Sequence, residues 1–237
     1  MLQNIKKLYG LGLSASDGEI GHVLDLYFDD QSWAVRYVIA DAGSWLSERR
    51  VLLSPHAFGD FHQAGKHLHV NLTRKQIENS PAIESHKPIS RQYEEEYYRY
   101  YGWPAYWQGG GLWGASTFPI LSLPAESLPG EPATVGRPPA KRAEAHLRST
   151  QAVNGYQLEA SDGAIGHLCD FMMDTRSWQI RRLVIKTGNW LPGGEVEIPT
   201  GKVDRISYDE STVFANLTKE VIAQSPAHNL VLEGAAN

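Results

Sequence analysis

Two carboxylates and two guanidinium groups recur in matched pairs along the chain, Asp25 with Arg36 and then Asp170 with Arg181, 145 positions later. On neighbouring strands such a pair can hold register as an ion pair. With a second carboxylate or a substrate pocket beside it, the same pair could handle a proton. If each hairpin pairs Asp29 with Ser32, or Asp174 with Ser177, antiparallel register sets residue 25 opposite 36 and residue 170 opposite 181. Both pairs are therefore expected as cross-strand structural ion pairs. His22 and His167 occupy equivalent positions just after a glycine. Hydrogen-bonded imidazoles near one end of a small β fold are expected there, with pH sensing as the alternative. His67 and His69 alternate onto one strand face, with His62 across the expected hairpin, a donor set suited to zinc or nickel. Their counterparts are Ser207, Thr212 and Phe214, so an exposed polar hairpin is expected and no metal is assigned. Ser16-Asp17-Gly18 offers a hydroxyl, but a turn needs these residue types and a nucleophile would need a base partner. No G-x-S-x-G, Walker A, dinucleotide glycine loop or HExxH motif occurs. The expectation is a protein that is not an enzyme, with no catalytic residue and no cofactor.

The residues that could do chemistry are positioned by a duplicated framework. Residues 13–46 return as residues 158–191 without a gap, and sixteen of the thirty-four positions are identical. Downstream, Asn71-Leu72-Thr73 returns as Asn216-Leu217-Thr218, and Ser80-Pro81 as Ser225-Pro226. Each copy is thus a small domain rather than one turn of a solenoid. First strands are expected at 6–15 and 153–160, ending at Ser-Asp-Gly turns. A second strand at 20–29 alternates Ile20, His22, Leu24, Leu26 and Phe28 onto one face, and its copy does likewise. Third strands at 34–41 and 179–186 and fourth strands near 49–54 and 195–198 follow. Then comes a hairpin, turning at Gly65 in one copy and at Asp209-Glu210 in the other. A short helix closes each copy, capped by Thr73 with Gln76 and by Thr218. The tryptophans Trp33, Trp178, Trp45 and Trp190 read as hydrophobic plugs at loop edges.

The middle of the chain differs. Residues 90–107 hold six tyrosines and two tryptophans, with a helix expected over Ser90–Tyr101, ended by Gly102 and Pro104. Tyr97, Tyr98, Tyr100, Tyr101, Trp103, Tyr106 and Trp107 make up a candidate interaction patch, since tyrosine and tryptophan dominate interface energetics. The alternative is that they pack internally between the two copies. A single-stranded RNA platform is disfavoured by Glu94, Glu95 and Glu96. Residues 108–150 turn rich in Gly, Pro, Ala and Ser and read as an irregular linker.

The net charge of −5 and pI near 6.0 supply no global attraction to a phosphate backbone, so RNA is a disfavoured partner. The one cysteine, Cys169, cannot form an intrachain disulfide, and it stands where the first copy has Leu24. No run of 18 apolar residues and no signal-type leader is present, and the protein is expected to be cytoplasmic.

The run ASDGEIGHVLDLYFDDQSW, followed by RYVIADAGSWL, resembles the PRC-barrel family. This small β-barrel is named from the cytoplasmic domain of the photosynthetic reaction-centre H subunit and is shared with a ribosome-maturation factor. The resemblance covers roughly residues 5–81 and 150–227, and YYGWPAYW is similar to the spacer of bacterial proteins with two such barrels. It implies a mainly β chain with two PRC-type barrels in tandem, each followed by a short helix, and an aromatic-rich spacer. The domains expected are 1–83, 84–149 (spacer and linker) and 150–237. It also implies a binding and assembly module, a scaffold for another protein or for itself. An RNA- or ribosome-associated accessory factor is the alternative, and a metal-binding protein or small enzyme using the first copy's histidines is the third reading.

Overall fold

The computed structural model describes residues 1–46, 49–58, 67–81, 89–119, 147–188 and 194–225. The fold is mainly β. In chain order the first half holds β1 (Leu2–Asn4), β2 (Gly12–Ala15), β3 (Gly18–Asp29), β4 (Val35–Asp41), β5 (Arg50–Leu53) and β6 (His67–His69), then helices α1 (Arg74–Glu78) and α2 (Arg91–Tyr101). The second half holds β7 (Leu147–Ser149), α3 (Thr150–Val153), β8 (Gln157–Ala160), β9 (Gly163–Asp174), β10 (Gln179–Thr187), β11 (Glu195–Pro199), β12 (Val203–Ser207), β13 (Thr212–Ala215) and α4 (Lys219–Ala223).

The chain forms two compact units. The first comprises Leu8–Ser149 with Arg176–Trp178, and the second comprises Met1–Lys7, Thr150–Thr175 and Gln179–Asn237. The first unit's sheet runs β5-β4-β3-β2-β6, with β7 also paired to β3; the second runs β11-β10-β9-β8-β13-β12, with β1 also paired to β9. In each unit the first strand of the repeat is parallel to a late one, β2 to β6 and β8 to β13, and the other pairings are antiparallel.

The second strands do not alternate as their sequences suggest. In β3, His22 is exposed and Leu24 half-buried, whereas Ile20, Val23, Asp25, Leu26 and Phe28 are buried. Three bulges reset the parity. Ile20 is the extra residue between the pairs Leu13↔Gly21 and Ser14↔Glu19. Leu24 is extra between Val23↔Ala40 and Asp25↔Ile39, and Arg36 between Tyr27↔Tyr37 and Phe28↔Val35. Each inserted residue moves the following side chains to the opposite face and bends the strand. The second unit carries the same three bulges at Ile165, Cys169 and Arg181. The bend requires glycine where strands meet most closely. A Cβ on Gly21, which has φ +119°, would lie 1.8 Å from the Asp41 carbonyl oxygen, and one on Gly166 would lie 2.1 Å from that of Lys186.

The cores correspond position by position: Leu13, Ile20, Val23, Leu26, Phe28 and Val38 in one unit, Leu158, Ile165, Leu168, Phe171, Met173 and Leu183 in the other, all buried. The first strands are shorter than expected, because Ile5–Leu8 forms a 3-10 turn and Thr150–Val153 a helical one. The short helices start as expected. Thr73 and Gln76 form a reciprocal capping box, and the Thr218 hydroxyl caps Val221. Residues 59–66, with His62 and the turn expected at Gly65, and also Trp190, lie outside the described residues.

Candidate functional site

The bulge at Arg36 decides what the recurrent charges do. Together with a hairpin turn in which Phe28 already faces Val35, it leaves Asp25 opposite Ile39 rather than Arg36. The expected Asp25–Arg36 ion pair is therefore not formed. Arg36 turns into the first unit, 3% exposed. It donates to the Leu112 carbonyl (2.6 Å) and the Ser32 hydroxyl (3.1 Å), and stands 3.8 Å from the Asp29 carboxylate. Its guanidinium carbon lies over Tyr106, 3.8 Å from the ring centroid, and over Trp113 at 4.9 Å. Arg181, at the equivalent bulge, is exposed, and Asp170 stands opposite Val184. A turn between Asp29 and Ser32 would set 25 opposite 36, but the turn is two residues wider, with Phe28 facing Val35 and Asp174 facing Gln179, and the bulge adds a third residue of offset, which breaks both pairs.

The two aspartates instead bind strands. Asp25 accepts from the Leu26 backbone N–H and from the Ser149 hydroxyl. Asp170 accepts from the Phe171 N–H, the Asn4 side-chain amide and the Lys6 N–H. The turn aspartates bind helices: Asp17 accepts from the Arg74 N–H at 2.7 Å and Asp162 from the Lys219 N–H at 2.9 Å. Ser16 and Ser161 donate to the Leu72 and Leu217 carbonyls. The Ser-Asp-Gly turn and the Asn-Leu-Thr motif 55 residues later are thus two halves of one latch that caps a helix start.

The aromatic segment packs inside the first unit. Ser90 caps α2 by accepting from the Tyr93 N–H, and Gly102 closes it in the left-handed conformation. One helix face buries Glu94, Tyr97, Tyr98 and Tyr101 at the i, i+3, i+4, i+7 spacing. Tyr97, Tyr98, Tyr101, Trp103 and Tyr106 are all buried, which leaves Tyr100 (42% exposed) and the half-buried Trp107 accessible. As a docking patch, then, the segment retains two of its seven candidates; of the others, Tyr97 packs on Tyr37 of β4 and bonds Leu52 of β5. The Tyr97 hydroxyl accepts from the Ser54 N–H and donates to the Leu52 carbonyl, both at 3.0 Å. His56, 2% exposed, is boxed by the rings of Tyr98, Trp103 and Trp113.

Glu94 is the centre of this layer. Its carboxylate accepts from the hydroxyls of Tyr37 (2.9 Å) and Tyr106 (2.8 Å) and is paired with Arg91 at 2.9 Å. Burial pushes the Glu94 carboxyl above the ordinary range, against the pull of Arg91, Tyr106, Tyr37 and Arg36. Burial likewise raises the hydroxyls of Tyr37, Tyr97 and Tyr106, and takes Tyr101 to about 12. Residue types alone assign Glu94 no role beyond weighing, with Glu95 and Glu96, against an RNA platform. The signal was its helical spacing from Tyr97, Tyr98 and Tyr101, since Glu95 and Glu96 are the exposed members.

Two tryptophans shape loops. Trp33 and Trp178 both take left-handed backbone, φ 59° and 55°, unusual for so bulky a residue. Within the first unit, Trp178 is buried against Phe58 and its carbonyl accepts from the Val35 N–H, while Trp33 stacks on Phe28. The Cys169 thiol donates to the Val184 carbonyl and is pushed up to about 12, mainly by burial. His67 and His69 are exposed, and His69 bonds the Ser14 hydroxyl. Among the described residues no group of three or more His, Cys, Asp or Glu is placed to hold a metal ion.

Residues 158–222 match the family model of the PRC-barrel domain. No curated protein matches the chain. The matched segment spans β8 to α4, including all three bulges of the second unit and its helix latch. Among the described residues no helix is long and apolar enough to cross a membrane.

Proposed function

We propose that the chain is a non-catalytic scaffold of the cytoplasm that binds another protein or itself, with two PRC-type barrels in tandem. The observation that carries this reading is that each unit takes up a short strand from outside its own copy of the repeat, β7 on β3 and β1 on β9. Strand addition is a common way for β domains to hold a partner, because the ladder supplies binding and flanking side chains supply selectivity. The ionisable residues point the same way: Asp25, Asp170, Asp17, Asp162, Arg36 and Glu94 are engaged with backbone or buried hydroxyls. The match of residues 158–222 to the PRC-barrel domain supports a protein-interaction module.

The test is affinity capture by the full-length chain with and without nuclease, followed by reconstitution with the purified partner and light scattering. A stoichiometric protein that survives nuclease and rebinds when purified, or a concentration-dependent homodimer, supports the scaffold. Retention lost on nuclease would move the RNA-associated reading ahead. A chain that stays monomeric and retains nothing would overturn both.

A further inference from the structure

The two added strands are themselves a repeat. Leu2, Gln3 and Asn4 precede Leu147, Arg148 and Ser149 by the same 145 positions that relate the rest of the copies. Each pairs with the long strand of the opposite copy, and in the same register. Leu2, Gln3 and Asn4 stand opposite Asp174, Met173 and Met172. Leu147, Arg148 and Ser149 stand opposite Asp29, Phe28 and Tyr27. In both, the third residue of the added strand donates to the aspartate two positions back on the long strand. Asn4 reaches Asp170 at 2.8 Å, where the Lys6 N–H adds a second bond of 3.1 Å, and the Ser149 hydroxyl reaches Asp25. One site therefore occurs twice: a strand edge that supplies ladder bonds, and a buried carboxylate that reads an amide or hydroxyl side chain at the third position.

We propose, building on the interaction reading above, that the edge of β9 around Asp170 is a strand-docking site whose external occupant is the Leu2–Lys6 segment of a second copy of this chain. The segment is complementary to the site by construction, and a second copy regenerates every contact with the same residues, so exchange requires no new surface. Opening releases three ladder positions and the buried Ile5. It also leaves Asp170, 8% exposed, short of two donors, which makes recapture of a strand far more favourable than a lasting open state. Because Leu8 belongs to the first unit, an exchanged segment ties the first unit of one chain to the second unit of the other. The chain's own segment has the higher effective concentration, so exchange grows with protein concentration.

The experiment uses full-length chains in a Cys169→Ala background, one carrying Leu2→Cys and the other Asp174→Cys, at positions that face each other across the ladder. Mixed at high concentration and oxidised, they are expected to yield an interchain 2–174 disulfide, identified by peptide mapping. Its yield should fall at least tenfold when the Leu2→Cys chain also carries Asn4→Ala and Ile5→Ala. A doubly substituted chain should close the same disulfide internally in dilute solution. If it does so while the mixed chains give no 2–174 link, exchange is overturned; if neither forms, the strand site itself is overturned. Light scattering on the mixture separates this result from the broader reading, since dimers without the 2–174 link would refute exchange at β9 and leave self-association standing.

Discussion

The same two strands are finished in opposite ways in the two units. On the first unit's β4 and β5, Tyr37 and Leu52 are buried beneath the aromatic helix, with Tyr97 bonded to the Leu52 carbonyl and Tyr37 to Glu94. The equivalent positions on β10 and β11 are Arg182 and Glu197, joined at 2.6 Å with the arginine side chain 41% exposed. The backbone beneath is common to both, with its three bulges and its helix latch. The repeat thus specifies a frame, and two residues per copy decide whether a face carries a layer of protein or meets water. An apolar face without a cover would be a liability, and a charged pair under a cover would be a cost.

The sharpest way to break the contrast is to give the first unit the second unit's residue. Leu52→Glu places a carboxylate in the buried face beneath Tyr97 of α2, with no cation brought along. A loss of about 5 kcal/mol, or outright unfolding of the first unit, is expected. The reverse change, Glu197→Leu, removes one partner of a half-exposed ion pair and should alter stability by less than about 1 kcal/mol. Hydrogen exchange read by mass spectrometry reports each unit separately. Equal effects would refute the assignment of the two faces.

Glu94→Ala comes next, with an expected cost of about 3–4 kcal/mol, because it strands Arg91 and two buried tyrosine hydroxyls. Glu94 also predicts a pH dependence. Burial raises its folded-state value above the ordinary 4.5. The folded state therefore holds this proton more tightly than the unfolded state. The resulting stabilisation is complete below about 4.5 and is lost as pH rises through the raised folded value. Subtracting the Glu94→Gln stability curve from that of the natural chain should leave a negative slope confined to that window. A flat or positive difference would contradict the burial account. At the alkaline end the buried tyrosines act with the same sign. The first unit should lose stability as pH climbs above 10, through the Tyr101 value of about 12.

Much of the frame was legible because it is written twice. The duplication, the Ser-Asp-Gly turns, the third and fourth strands, both helix caps and the α2 helix are all readable from residue types and spacing. The bulges were not, because a period-2 reading of residues 20–29 has no term for an inserted residue, and Ile20, Leu24 and Arg36 each look like ordinary strand positions. The Asp25–Arg36 pairing failed partly for that reason and partly because the turn is two residues wider than an Asp29–Ser32 pairing assumes. The uptake of β1 and β7 by opposite copies was hidden for another reason: three-residue strands carry too little pattern, although Leu2 and Leu147 share the offset of the larger repeat. The fate of the aromatic segment could have been inferred by setting Tyr37 and Leu52 beside Arg182 and Glu197. Two apolar residues where the other copy has charges mark a face that needs covering.

Tyr97→Phe tests the cover at a single atom. Its hydroxyl bridges the Ser54 N–H and the Leu52 carbonyl, so the phenylalanine leaves a buried donor and acceptor unpaired while keeping the ring. A loss of about 2 kcal/mol, confined to the first unit, is expected. Thermal melts of the variant should show it, with exchange in β8 to β13 unchanged.

The smallest effect examines the half of the comparison in which the units agree. Asp17 and Asp162 each accept the first N–H of a five-residue helix, Arg74 and Lys219 respectively. Removing a helix-capping acceptor typically costs about 1 kcal/mol. Asp17→Ala and Asp162→Ala should therefore each destabilise their own unit by about that amount, and by the same amount within a few tenths. The helices differ in their other cap: Gln76 completes a reciprocal box in the first copy, whereas Val221 stands there in the second. If the box carries part of the load, Asp162→Ala will be the costlier of the two. A cost in the second unit more than twice that in the first would mean that the latch is a shared geometry with unequal duties, and the frame would then be less uniform than its backbone.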